Sequence, residues 1–310
     1  MVDQIKKKNK QMSQVLIHIG FPKSGSTYLQ KWFEEHPDLY FQPKHFAQGF
    51  YNALELARYA KDTEEIKGNY VLSCEDLTLF NNVRDPLGLR KVFPFDYLKF
   101  QNNICTILHQ LHPTAKILIV TRGYTTIFSS IYAHYVAMAG TLTFRELMHE
   151  AREMFSVLLD YNEVIDLYRK RFGVQNVIVL PYELLKDDPS RFLSFIEKEM
   201  AVTQKFEFPA ETINASPDKK TLTAYHFVSF SILKLIKIFP HSWQLTIYNN
   251  YTQRVYSGKV NSFMNWLSKF FSTEISMKEN TDILSIMKGK AEIVRNEELF
   301  QPYLKQYLID

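Results

Sequence analysis

Cysteine is scarce: the 310 residues contain only Cys74 and Cys105. Two thiols cannot build a disulfide framework, and their scarcity suits a reducing compartment. No apolar run approaches 18 residues, so no transmembrane span is expected. Lys6-Lys7-Lys8 near the start is not followed by an apolar core and does not read as a secretory signal. The expected location is therefore cytoplasmic. Internal repeats and low-complexity segments are absent, and no His, Cys, Asp or Glu cluster has metal-ligand spacing. Nor is there a strong excess of one charge. A formal net charge of +4 suits anionic ligands without calling for nucleic acid or a membrane. With 46% hydrophobic and 23% charged residues, the chain can bury a sizeable core, and one domain over 1–310 is expected.

What is present begins at Val15. Val15-Leu16-Ile17-His18-Ile19 reads as a buried strand, Gly20 to Gly25 as a tight loop, and Ser26-Thr27 as the first turn of a helix. Leu29, Trp32 and Phe33 follow at i, i+3, i+4 spacing. Free N–H groups and positive dipole at a helix N-terminus favour an anion. A nucleotide-triphosphate loop reads G-x-x-x-x-G-K-[ST]. Gly20 and Gly25 keep that spacing, but Ser26 stands where the lysine belongs, and Lys23 precedes Gly25 by two residues. A plain Gly/Ser turn before a helix is the simpler alternative.

A second motif lies about a hundred residues on. Lys116-Ile117-Leu118-Ile119-Val120-Thr121 is another buried-type strand, ending at Arg122, with a helix expected from about Tyr124. Ser130 lies eight residues after Arg122. A guanidinium forms a charge-assisted fork to phosphate, and a hydroxyl adds a donor. By itself, an Arg at a strand end is ordinarily a solvated charge. No acid in the place of a magnesium-binding Walker B residue follows this strand, which argues against a magnesium-dependent kinase or GTPase.

Pro22-Lys23-Ser24-Gly25-Ser26-Thr27 resembles the 5′-phosphosulfate loop of sulfotransferases, commonly Pro-Lys-[Ser/Thr]-Gly-[Ser/Thr]-[Ser/Thr]. Those enzymes use 3′-phosphoadenosine 5′-phosphosulfate (PAPS) as donor. They also place an Arg at a strand end and a Ser eight residues later on the donor's 3′-phosphate, as Arg122 and Ser130 are spaced here. The family often has Pro two residues after the Arg; Tyr124 occupies that place. The similarity covers roughly residues 14 to 220, with bacterial carbohydrate-type members the most alike.

The resemblance implies an α/β fold: a P-loop-containing, doubly wound, mostly parallel sheet flanked by helices, with a helical C-terminal extension. Strands are expected near 15–19, 69–73, 116–121 and 176–180, with ligands at their carboxyl ends. It implies donor contacts from Lys23, Ser24, Gly25, Ser26, Thr27, Tyr28, Arg122 and Ser130, with PAPS as donor, adenosine 3′,5′-bisphosphate as product and no metal. Lys23 is the candidate for stabilising charge at the sulfuryl group and bridging oxygen. Two residues are candidates for the general base, a role worth about 10²–10⁴-fold. His45, in Gln42-Pro43-Lys44-His45-Phe46, is similar to a Lys-Glu-x-His-Phe-Phe segment of carbohydrate sulfotransferases but lacks the Glu. Its ordinary pKa of about 6.5 suits a base near neutrality. Glu75, in Leu72-Ser73-Cys74-Glu75-Asp76-Leu77, resembles a strand end of bacterial members.

Other features read as structure. Tyr182-Glu183-x-Leu185-x-x-Asp188-Pro189 is similar to a family pattern and is taken as fold support, with Asp188 as a cap and Pro189 at the first helical position. Asn214-Ala215-Ser216 is a looser match. His18, His109 and His112 are expected to be structural. Over 221–310, an all-helical cap or partner-binding lobe is expected. Its aromatics, among them Trp243, Trp266 and Phe270-Phe271, are read as plain core, and Ser257-Gly258-Lys259 as a candidate lid. The expected acceptor is a hydroxyl on a carbohydrate or glycolipid. A small phenol or polyketide-type metabolite is the alternative, a P-loop kinase a lesser one. The oligomeric state is left open.

Overall fold

The computed structural model describes residues 14–41, 68–74, 96–202, 204–209, 217–277 and 281–309. Five strands form one sheet: β1 (Val15–Gly20), β2 (Leu39–Phe41), β3 (Asn69–Cys74), β4 (Lys116–Thr121) and β5 (Val177–Pro181), in the order β2-β3-β1-β4-β5. Every pairing is parallel, with His18 opposite Ser73 on one side and Leu118 on the other. Four of the strands match the expectation within a residue. β2 is the addition; three residues at the sheet edge carry too little pattern to be read.

Both faces of the sheet are covered, which is why its strands read as near-continuous apolar runs. Ile17, Ile19, Ile117 and Ile119 join one cluster with residues of α2 (Tyr97–Leu111), α3 (Tyr124–Ala137) and α6 (Tyr161–Phe172). Leu16, Leu118, Val120 and Leu180 join the other, with α1 (Ser26–Glu35), α7 (Tyr182–Asp187) and α8 (Pro189–Glu199). Between α3 and α6 lie α4 (Phe144–Glu150) and α5 (Arg152–Leu158). Leu29, Trp32 and Phe33 of α1 are fully buried, each contributing roughly 1.5–3 kcal/mol by area. Asp188 caps α8 by accepting from the Arg191 N–H, with Pro189 in the first helical turn, as the sequence implied.

The chain runs from β1 outward to β2, back to β3, then across to β4 and β5. The crevice between the carboxyl ends of β1 and β4 is therefore the topological switch point, where open α/β sheets take their ligands. The chain continues into α9 (Lys219–Ile236), α10 (His241–Tyr256) and α11 (Asn261–Ser268). Leu222, Tyr225, Val255 and Met264 of these helices belong to the same apolar cluster as Ile17 and Ile117. Among the described residues no helix is long and apolar enough to cross a membrane.

Phe271 packs against this cluster, as the sequence reading had it, but three of the region's aromatics are not core, contrary to that reading. Trp243, Trp266 and Phe270 are exposed, at 61%, 53% and 68% of their surface. Their helices bury one stripe on the cluster and leave another outside, and spacing alone does not say which stripe is which. Ser257 and Lys259, read as part of a candidate lid, line a cavity together with Asn250, Gln253 and Arg254.

Candidate functional site

The first loop starts where β1 ends and is held in an unusual backbone conformation. Lys23 has φ 64° and Gly25 has φ 86°, with Ser24 between them at ordinary negative φ. Alternating handedness turns successive N–H groups toward one concavity, a nest suited to an anion. A non-glycine residue in this region is uncommon and costs about 1–3 kcal/mol, so Lys23 is held there by its surroundings. Gly25 is required twice. Its φ is left-handed, and a Cβ would meet Leu185 Cδ2 at 2.7 Å and the Tyr182 ring at 3.2 Å. α1 then begins with no side-chain cap and no acid in its first turn, leaving its early N–H groups and dipole to a ligand.

Ser24 and Ser26 are buried, whereas Thr27 is exposed. Among the described residues Ser24 Oγ has no hydrogen-bond partner, so a polar oxygen waits inside the loop. Tyr28 packs edge-on against Phe208 at 5.1 Å and donates its hydroxyl to the Pro209 carbonyl at 3.4 Å. Beneath the loop, His18 is fully buried, with Nδ1 and Ser73 Oγ 2.7 Å apart and Gln30 Nε2 donating to the same Oγ at 3.3 Å. Burial pushes the imidazole pKa down to about 3, so His18 is neutral and structural, as expected.

Arg122 is brought directly to this loop. Its Nη1 donates to the Lys23 carbonyl at 2.7 Å and to Ser130 Oγ at 3.1 Å, and its Nε donates to Thr126 Oγ1 at 3.1 Å. The guanidinium lies over the Tyr182 ring, 4.6 Å from the centroid. Its partners among the described residues are thus neutral oxygens and a ring face. Those oxygens leave its positive charge uncompensated for an anion.

The backbone around Arg122 is pinned from below. The buried Tyr161 hydroxyl donates to the Arg122 carbonyl at 2.6 Å and accepts from the Arg122 N–H at 3.3 Å. Burial raises the Tyr161 pKa far above its ordinary value, keeping the phenol protonated as a donor. Tyr124 stacks on Tyr161 with 5.1 Å between centroids and 7° between planes, and donates to the Leu159 carbonyl at 2.7 Å. Where the resembling family often has proline, this chain uses a tyrosine that braces the arginine's support.

Glu183, which the sequence offered only as fold support, closes the arrangement. Its Oε1 accepts from the Gly123 N–H at 2.9 Å and its Oε2 from the Tyr307 hydroxyl at 2.7 Å. Thr121 Oγ1 donates to the same Tyr307 hydroxyl at 3.2 Å. The far end of the chain thereby sits directly under the strand end, and a Cβ on Gly123 would lie 2.5 Å from Gln306 Cβ. Tyr182 thus borders Gly25 of the first loop and Arg122 of the second, while Glu183, Thr126 and Tyr161 support the second. Thr126 had a signal: Arg122, Thr126 and Ser130 follow at i, i+4, i+8.

Of the expected site residues, Lys23, Ser24, Gly25, Arg122 and Ser130 are brought together, with Ser26 in the adjoining turn of α1. His45, Glu75 and the looser match Asn214-Ala215-Ser216 lie outside the described residues. Among the described residues no group of three His, Cys, Asp or Glu is positioned to hold a metal ion.

No family model and no curated protein matches the chain. Two solved structures are similar in part. A sulfotransferase from Alicyclobacillus acidocaldarius is 19% identical over 75% of this chain and 98% of its own, with a TM-score of 0.49. Mouse sulfotransferase SULT7A1, complexed with PAP, is 14% identical over 72% of this chain and 66% of its own, with a TM-score of 0.38. Likenesses of this size carry no weight for what the chain does.

Proposed function

We propose that this protein is a PAPS-dependent sulfotransferase acting on an acceptor hydroxyl. One observation carries the reading: Arg122 donates to Ser130 and, in the same crevice, to the Lys23 carbonyl of the Pro-Lys-Ser-Gly-Ser-Thr loop. Two anion-binding elements, distant in sequence, face one ligand that carries phosphate groups at both ends of its ribose. The nest at 23–25 and the start of α1 suit the 5′-phosphosulfate. Arg122, Ser130 and Thr126 suit the 3′-phosphate, the group that separates this donor from ATP.

In the proposed reaction the acceptor oxygen attacks sulfur in line, the bond from sulfur to the bridging oxygen breaks, and adenosine 3′,5′-bisphosphate leaves. The Lys23 ammonium offsets charge developing on the bridging oxygen. The acceptor proton goes to His45 or Glu75. The chain is taken to work as one sulfotransferase domain with no metal. A carbohydrate or glycoconjugate hydroxyl is the proposed acceptor, on the resemblance of the segments around His45 and Glu75.

Thermal unfolding with adenosine 3′,5′-bisphosphate, AMP, and ATP with magnesium tests the donor. A ligand at a hundredfold excess over Kd stabilises by about 2.7 kcal/mol. The bisphosphate is expected to raise Tm, AMP to fail, and Arg122→Ala to lose the effect. A magnesium-dependent shift with ATP alone would replace this reading with a P-loop kinase. Lys23→Ala is expected to lower turnover by about 10²–10³-fold while retaining bisphosphate binding. Screening PAPS with oligosaccharides and with phenols then decides the acceptor class.

A further inference from the structure

The mild net charge conceals a sharply polarised segment. Residues 219–273, which make up α9, α10, α11 and their connections, contain seven Lys and Arg and no Asp or Glu. The remainder of the chain carries 30 bases against 33 acids. Among the described residues, eleven of the 14 exposed large hydrophobic residues fall between Phe227 and Phe270. They are ordered along the helices. Phe263 and Trp266 of α11 and Phe270 in the turn just after it form an exposed stripe, their rings in sequence 5.9 and 5.0 Å apart. On α9, Phe227 and Phe230 are exposed, and Phe227 reaches the α11 side through Phe271 at 5.6 Å. Lys234 lies over the Phe230 ring at 4.4 Å, its charge adjoining the apolar stripe.

Soluble proteins rarely expose aromatic and aliphatic side chains this densely unless something covers them. Cations beside exposed Trp and Phe, with no acid among them, are complementary to one kind of surface: anionic headgroups with apolar tails beneath. We propose that the α9–α11 lobe docks on the surface of an anionic lipid bilayer, with the stripe containing Trp266 and Phe270 entering the interface and Lys234, Lys237 and Lys269 facing the headgroups. A second copy of this chain fits less well, because two such surfaces would bring seven cations against seven. The inference is independent of the donor chemistry. If both hold, the acceptor hydroxyl belongs to a molecule in the bilayer.

The full chain carries its own probe. Two of its three tryptophans, Trp243 and Trp266, are exposed in this lobe, and the third, Trp32, is fully buried. Sedimentation with phosphatidylglycerol-containing vesicles is expected to carry the protein down, with a blue shift of tryptophan emission, and pure phosphatidylcholine vesicles are expected to leave it in solution. Replacing Lys234 and Lys237 by Gln should weaken partitioning on the order of 30-fold, at about 1 kcal/mol per cation. Trp266→Ser with Phe270→Ser should abolish the emission shift while the unfolding midpoint holds. The proposal is overturned if neither vesicle sediments the protein at low salt. A blue shift that follows protein concentration without vesicles would also overturn it, assigning the surface to a second copy.

Discussion

The crevice between β1 and β4 and the outer face of α9–α11 use polar and apolar groups in opposite ways. In the crevice, polar atoms are buried and directed: Arg122 is held at its carbonyl, its N–H and its guanidinium, and Glu183 accepts from both Gly123 and Tyr307. On the outer face, apolar rings are exposed and the charges share one sign without mutual neutralisation. Directed hydrogen bonds in a desolvated site select a small ligand by geometry. Exposed area plus unpaired charge selects a broad surface, with little demand on orientation. The two regions therefore differ in what a mutation should do: in the crevice it disturbs binding and fold together, on the lobe only binding.

Arg122→Ala should break the crevice most severely. It removes the side chain that donates both to the Lys23 carbonyl and to Ser130, and bisphosphate affinity should fall by 2–5 kcal/mol, about 30-fold or more, in calorimetric titration. Acid comes next. His18 is held at a pKa of about 3 by burial, whereas the unfolded chain protonates near the ordinary value of about 6.5. The unfolded state therefore binds the extra proton, and stability should drop by roughly 1.4 kcal/mol per pH unit as pH falls from about 6 toward 3. Above pH 7 this group should contribute no slope. His18→Asn, which keeps a donor toward Ser73, should flatten that slope in urea unfolding; an unchanged slope would remove His18 from the account.

Glu183→Gln should cost about 1–3 kcal/mol, since an amide places an N–H against a donor that the carboxyl group accepts. Bisphosphate binding should weaken with it, and chemical denaturation beside titration measures both. Gly25→Ala should cost a similar 1–3 kcal/mol through its positive φ, and adding Leu185→Ala should relieve the contact without restoring the stability lost to φ. Smallest is the lobe pair Trp266→Ser with Phe270→Ser, expected within about 0.5 kcal/mol of the parent in unfolding. A large destabilisation there would erase the contrast, because it would make those rings core.

Legibility followed the same division. Strands β1, β3, β4 and β5 were readable because both sheet faces are buried and the runs are near-continuously apolar; β2 offered only Leu39, Tyr40 and Phe41 at an edge. The loop at 22–27 and the pair Arg122 and Ser130 were readable because local spacing carries them. Glu183, Tyr161 and Tyr307 were not, since Glu183 and Tyr161 act on backbone groups 60 and 39 residues away, and Tyr307 meets the Glu183 and Thr121 side chains 124 and 186 residues away. The helical lobe was read correctly, but Trp243, Trp266 and Phe270 were misread as core, because helical periodicity marks stripes without saying which one faces inward.

The sequence by itself determined the α/β alternation, the loop after β1 and the place of the arginine, because each depends on residues within a turn or two of one another. Only the tertiary structure decided that the two loops meet, that residues near the chain's end brace the second, and that Trp243, Trp266 and Phe270 face outward. Those outcomes depend on which distant surfaces pack together, and burial of apolar area chooses among packings without leaving a local mark in the sequence.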